Sequence, residues 1–84
     1  MPEVWPEAIE WDDGNLEHAT AHGVTAEEIE QVIANGPTYR QNKRGRAADL
    51  LAYGETDGGR LVVVAVVWDA ARRTVRPITA WEDR

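Results

Sequence analysis

The sequence predicts an α+β domain of order βααββββ, with two helices packed on one face of an antiparallel sheet, and three observations predict it. Apolar residues recur at helical spacing, between capping residues, only in the stretch that ends at Asn35-Gly36-Pro37. From Thr38 onward short β-type runs alternate with turn chemistry. Successive runs are close enough to form consecutive hairpins, which give an antiparallel sheet whose apolar face the helices must cover.

The first seven residues, Met1-Pro2-Glu3-Val4-Trp5-Pro6-Glu7, are the only linker-like stretch and are expected to form a flexible arm on a single domain of 84 residues. Ala8-Ile9-Glu10-Trp11 alternates and reads as a short strand. Asp12-Asp13 can accept from the free amides of a first helical turn, so a helix starts there and runs to about His22, with Gly23 in the left-handed position beyond it. Leu16, Ala19 and Val24 make its buried stripe. Thr25-Ala26-Glu27-Glu28 is a capping box opening a second helix, along which Ile29, Val32 and Ile33 recur at helical spacing. Asn35-Gly36-Pro37 stops it. Strands follow near 38–41, 47–55, 60–68 and 74–81, separated by turns at Asn42 to Gly45, Asp57-Gly58-Gly59 and Asp69 to Arg73.

Centring each hairpin on its turn sorts the strand residues into two faces. Leu50, Ala52, Leu61, Val63, Ala65, Val67, Val75, Pro77, Thr79 and Trp81 form an apolar floor for the helices. Arg40, Asp49, Leu51, Tyr53, Glu55, Arg60, Val62, Val64, Val66, Arg76 and Ile78 form a mixed face left to solvent, where a ligand would lie. With no Phe in the chain, Trp11 and Trp81 are expected as bulky core residues.

A chain of this length buries roughly 60–65% of the surface it exposes unfolded, so one core must stabilise it. There is no cysteine, which excludes disulfides and thiolate metal sites. The N-terminus has acids and prolines where a signal peptide needs cations and an apolar run, and a cytoplasmic setting is the expectation. The longest apolar run, Leu61 to Trp68, is far short of the ~20 residues of a spanning helix, and no membrane partner is expected.

Charge is segregated along the chain. Residues 1–39 hold nine acids and no Lys or Arg, a charge of -9, while residues 40–84 hold six acids against nine cations, a charge of +3. Arg40, Lys43, Arg44 and Arg46 fall within seven residues at a hairpin tip, and Arg60, Arg72, Arg73 and Arg76 lie farther along. Such a cluster reads either as a phosphate-holding patch or as a solvated hairpin that blunts a sheet edge. Acids on the distant helices need not cancel it, because charges beyond about 8 Å are largely screened at physiological salt.

Trp11-Asp12-x-x-Asn15, His22-Gly23-Val24, the acidic helix Glu27-Glu28-Ile29-Glu30-x-Val32-Ile33 and Gly54-x-x-x-Gly58-Gly59-Arg60-Leu61-Val62-Val63-Val64 together resemble the BrnT toxins, of the RelE-like group of small bacterial ribonucleases in type II toxin–antitoxin pairs. The resemblance runs from about Ile9 to Ala80. It implies helices on an antiparallel sheet, cleavage of messenger RNA without a metal or other cofactor, and neutralisation by a cognate, DNA-binding antitoxin. The family usually follows its last strand with a basic stretch, whereas Thr79-Ala80-Trp81-Glu82-Asp83-Arg84 stands here, and the net charge is -6. Those departures support the alternative, a catalytically inactive binding module on the same scaffold that engages only a protein partner.

Cleaving RNA needs a base for the 2′-hydroxyl, a cation over the developing phosphorane oxygens and an acid for the leaving oxygen. On this reading the catalytic residues are Arg40, Tyr53, Arg60 and Arg76, the three guanidiniums stabilising charge and Tyr53 orienting or donating a proton. Asp49, Glu55 or Lys43 would be the base, and Lys43, Arg44 and Arg46 would bind RNA. The structural alternative pairs Asp49 with Arg76 across Val66 and makes Tyr53 a half-buried strand residue. His18 and His22 have the i, i+4 spacing of metal ligands, but lack the zincin glutamate and sit in a last helical turn that favours a histidinium, so no metal site is expected.

Overall fold

The computed structural model describes residues 4–43 and 47–83. Its elements are β1 (Ala8–Ile9), α1 (Asp13–Ala19), α2 (Ala26–Ala34), β2 (Thr38–Gln41), β3 (Leu50–Glu55), β4 (Leu61–Asp69) and β5 (Thr74–Glu82). The two helices pack against a five-stranded sheet of order β1-β5-β4-β3-β2. β2 to β5 are antiparallel neighbours, as consecutive hairpins require, but β1 runs parallel to β5, so the sheet is mixed rather than wholly antiparallel. No turn dictates the direction of β1, because both helices and three strands separate it from its partner in sequence. Residues 4–7, expected as a free arm, lie against the body: Val4 packs on the core, and the Glu7 N–H donates to the Arg73 carbonyl at 2.7 Å.

Both helices start where local chemistry supplies acceptors for their first amides. Asp12 caps α1, accepting from the Asn15 N–H at 3.0 Å, while the Asn15 side-chain oxygen accepts from the Asp12 N–H at 2.7 Å. Asn15 is 5% exposed and uses its amide nitrogen twice, donating to the carbonyls of Glu10 and Pro77 at 2.9 Å each. It thereby fastens α1 to β5 with no polar atom unpaired. The helix stops at Ala19, three residues before the expected His22, where the Thr20 hydroxyl donates back to the Leu16 carbonyl at 2.8 Å. Leu16, expected in the stripe, is 39% exposed; Asn15 and Ala19 take the buried side. α2 opens on the expected capping box of Thr25 and Glu28 and buries Ile29, Val32 and Ile33.

The register of β3 on β4 corrects the expected faces. Leu50 pairs with Val66, Ala52 with Val64 and Gly54 with Val62, so it is Val62, Val64 and Val66 that lie under the helices, each 0% exposed. The hairpin loop is five residues, 56–60, closed by the Thr56 N–H to the Arg60 carbonyl at 2.9 Å, with Gly59 at φ 85. Val63, Ala65 and Val67, expected on the floor, therefore face the other way, since one residue of slip exchanges the faces of a strand. On β5 the ladder skips Ile78: Ala65 pairs with Thr79 and Val66 with Pro77. This bulge sits beside Pro77, which has no N–H to give a ladder, and it reverses the alternation. Val75 and Pro77 face the helices, whereas Thr79 and Trp81 turn to the open side, and Trp81 is 38% exposed rather than core.

On that open side Val63 is still only 2% exposed. Tyr53 and Trp81 are its cross-strand partners and cover it, as Leu51 and Thr79 flank Ala65. Under the helices, each fully buried Val or Ile is worth about 1.5–3 kcal/mol relative to exposure. α2 and the turn after it approach the sheet closely at Gly54, where an added Cβ would stand 3.0 Å from the Pro37 Cβ and 3.2 Å from a Val32 methyl. Gly54→Ala is expected to destabilise the fold by roughly 1–3 kcal/mol through overpacking, measured as a fall in the urea midpoint with unchanged slope.

Candidate functional site

Of the four side chains expected to act together, the structure brings two together. Arg40 lies over the ring of Tyr53, its guanidinium carbon 5.7 Å from the centroid, on the face the helices leave open. The pairing of Thr38 with Tyr53 and of Arg40 with Leu51 sets these groups side by side across β2 and β3. They line a groove of about 430 Å³ with Thr38, Gln41, Lys43 and Leu51. Neither Arg40 nor Lys43 has a carboxylate partner among the described residues. Arg44 and Arg46, expected as RNA contacts, lie outside the described residues.

Arg60 and Arg76 are elsewhere and engaged. Arg60 follows the β3–β4 turn at the opposite end of β3 from Leu51, and its Nε donates to Glu82 at 2.8 Å while Nη1 reaches Glu28 at 3.0 Å and the Gly23 carbonyl at 3.0 Å. One guanidinium thus ties the loop between the helices, the first turn of α2 and the end of β5. Glu82 first, then Glu28, raise its pKa further, so it holds its charge and exchanges no proton. Arg76, on β5, pairs with Asp12 at 2.7 Å. Three strand spacings, about 14 Å, separate β5 from β2, and Arg76, bonded to Asp12, does not line the groove around Arg40.

The remaining candidates divide similarly. Asp49 does not meet Arg76; its carboxylate accepts from the Trp68 N–H at 3.0 Å. Glu55 is exposed and stands two residues beyond Tyr53 on β3, hence on the same face. Trp81 is the residue the sequence concealed. It shares a cross-strand row with Val63 and Tyr53, placing two aromatic rings on the open face about 10 Å apart, two strand spacings. A second hollow of about 800 Å³ continues the groove from Leu51 past Ala65 and Ile78 to Trp81 and His18. The open face therefore runs from a cationic edge at β2 to an aromatic and apolar floor at β5.

His18 borders that hollow and His22 is exposed, and no cluster of three or more His, Asp or Glu suited to a metal occurs among the described residues. Among the described residues no helix is long and apolar enough to cross a membrane. Trp68 packs partly buried on the core, and Trp11 donates its indole N–H to Glu30 at 3.1 Å. The phenol of Tyr39 is buried without a hydrogen-bond partner, and burial pushes its pKa up to about 12, so it serves as packing rather than as an acid or base. No family model, curated protein or solved structure matches this chain.

The Arg76 contact, then the Asn15 backbone N–H, hold the Asp12 carboxyl at about 2, below its ordinary 3.8. A carboxylate depressed by folding stabilises the fold above the ordinary value, and that contribution is lost as the pH falls from 3.8 through about 2. In Arg76→Met the larger cause is gone. The acid-induced loss of stability across this window is expected to shrink, with the capping bond keeping a remainder, as read from urea midpoints at successive pH values.

Proposed function

We propose that this chain is the toxin-like member of a toxin–antitoxin pair and that it binds single-stranded RNA along the uncovered face of its sheet. The observation that carries the reading is the coincidence, in one groove, of the Arg40 guanidinium, the Tyr53 ring and the Lys43 ammonium, with Trp81 farther along the same face. Single-stranded nucleic acid is held by cations that track phosphates and by aromatic faces on which bases stack. In a metal-independent cleavage, Arg40 and Lys43 would hold the phosphate, Tyr53 would orient or donate a proton to the leaving oxygen, and Glu55 would accept from the 2′-hydroxyl. Arg60 and Arg76 take no part in this scheme and act as structural ties. The exposed acids of the helices, Glu17, Glu27 and Glu30, suit docking of a basic, DNA-binding antitoxin, where complementary charge chiefly raises association rate and specificity.

A second reading is favoured by those same ties. With Arg60 and Arg76 both neutralised, the scaffold would be a binding module without cleavage, engaging only its protein partner. End-labelled single-stranded RNA separates the two. Fluorescence anisotropy is expected to show binding that Tyr53→Ala weakens by about 1–3 kcal/mol, and Arg40→Ala is expected to lower the salt slope by roughly 0.7. Cleavage of the label that Arg60→Ala leaves intact, per folded molecule, supports the enzyme. RNA that is bound and not cut overturns the cleavage step alone, and no binding at any salt overturns both RNA-based statements and supports the module that engages only a protein.

A further inference from the structure

We infer that the outer edge of β2 is a docking site for an extended segment of a partner protein in which apolar and acidic side chains alternate. This goes beyond the RNA reading and does not depend on it. Among the described residues β2 ends the sheet, and β3 is its one strand neighbour. The Asn42 N–H donates to the Asp49 carbonyl at 3.0 Å, which sets the phase of the ladder. Antiparallel alternation then turns the backbone groups of Arg40 and Thr38 inward to β3 and leaves the N–H and C=O of Tyr39 and Gln41 directed outward. Such a row is a template for another strand, and β-strand addition is an established mode of peptide recognition.

What an added strand would meet differs on the two sides of the sheet. On the helix side, beside Tyr39, is an apolar hollow of about 370 Å³ lined by Val4, Pro6, Ile33 and Pro37. On the open side is the groove of about 430 Å³ with Arg40 and Lys43. Successive side chains of a strand point to opposite faces, and directly opposed residues lie ~5 Å apart. A partner residue opposite Tyr39 therefore enters the apolar hollow, and its neighbour opposite Arg40 meets the cations. The complementary segment alternates an aliphatic with an acidic side chain. A second copy of this chain fits poorly, because the two-fold pairing that uses both Tyr39 and Gln41 sets Arg40 against its own copy, like charges directly opposed.

Isothermal titration of the full chain with a capped hexapeptide alternating valine and glutamate tests this. A peptide of the same composition in two blocks, and one alternating valine and lysine, are each expected to bind at least about tenfold more weakly. Gln41→Pro removes an outward N–H and no inward bond, a change edge strands tolerate. It is expected to weaken the alternating acidic peptide by about tenfold while leaving the thermal midpoint in place. Arg40→Glu is expected to reverse the preference between the glutamate and lysine peptides, which keeps the inference testable if Gln41→Pro fails to fold. Equal affinity for all three peptides, no binding of any, or a self-association of the chain that Gln41→Pro abolishes would overturn it, the last by making a second copy the occupant.

Discussion

The pairing of Leu50 with Val66 decides which valines of β4 are roofed by the helices, and both faces of the sheet follow from it. With Val62, Val64 and Val66 committed to the core, Val63 and Ala65 must face outward, where only their cross-strand neighbours can shield them. That requirement puts Tyr53 and Trp81 on the open face beside Val63. The bulge at Ile78 is the second half of the same arrangement, because without it Trp81 would lie on the helix side. A five-residue turn and one skipped residue thus create the surface on which any ligand of this face must rest.

The opposite charges of the two halves are partly used up inside the molecule. Arg60 joins Glu28 and Glu82, and Arg76 joins Asp12, each crossing between elements far apart in the chain. Arg60 is the more consequential, since it also satisfies the Gly23 carbonyl at the turn between the helices. These pairs are part-exposed, where Coulombic gain is modest, so their main effect is geometric: they orient α2 and the end of β5. What remains after this internal pairing is a cationic edge at β2 and an acidic helical layer, two surfaces of opposite sign on one small domain.

The element order and the helix caps were legible because their causes are local. Asp12 with Asn15 and Thr25 with Glu28 act over three residues, and Asn35-Gly36-Pro37 ends α2 where its composition says it must. Trp11-Asp12-x-x-Asn15 has a physical core of the same kind, a capping box whose asparagine also reaches β5. The faces were not legible, since they depend on a register in which one residue is decisive and on a bulge that only Pro77 hints at. The partners of Arg60 lie 22 and 32 residues away, and Glu28 already had a complete local explanation as a cap. Arg40 beside Tyr53 was within reach of the sequence, because both belong to one hairpin.

The far side of the sheet is covered over part of its length. β1 covers the start of β5 with two parallel residues, and Asn15 takes the Pro77 carbonyl just beyond. An edge whose first residues are already paired, and whose middle is irregular at the bulge of Ile78, is a poor template for a long added strand. The two-residue β1, trivial as packing, in this respect discourages edge-to-edge association.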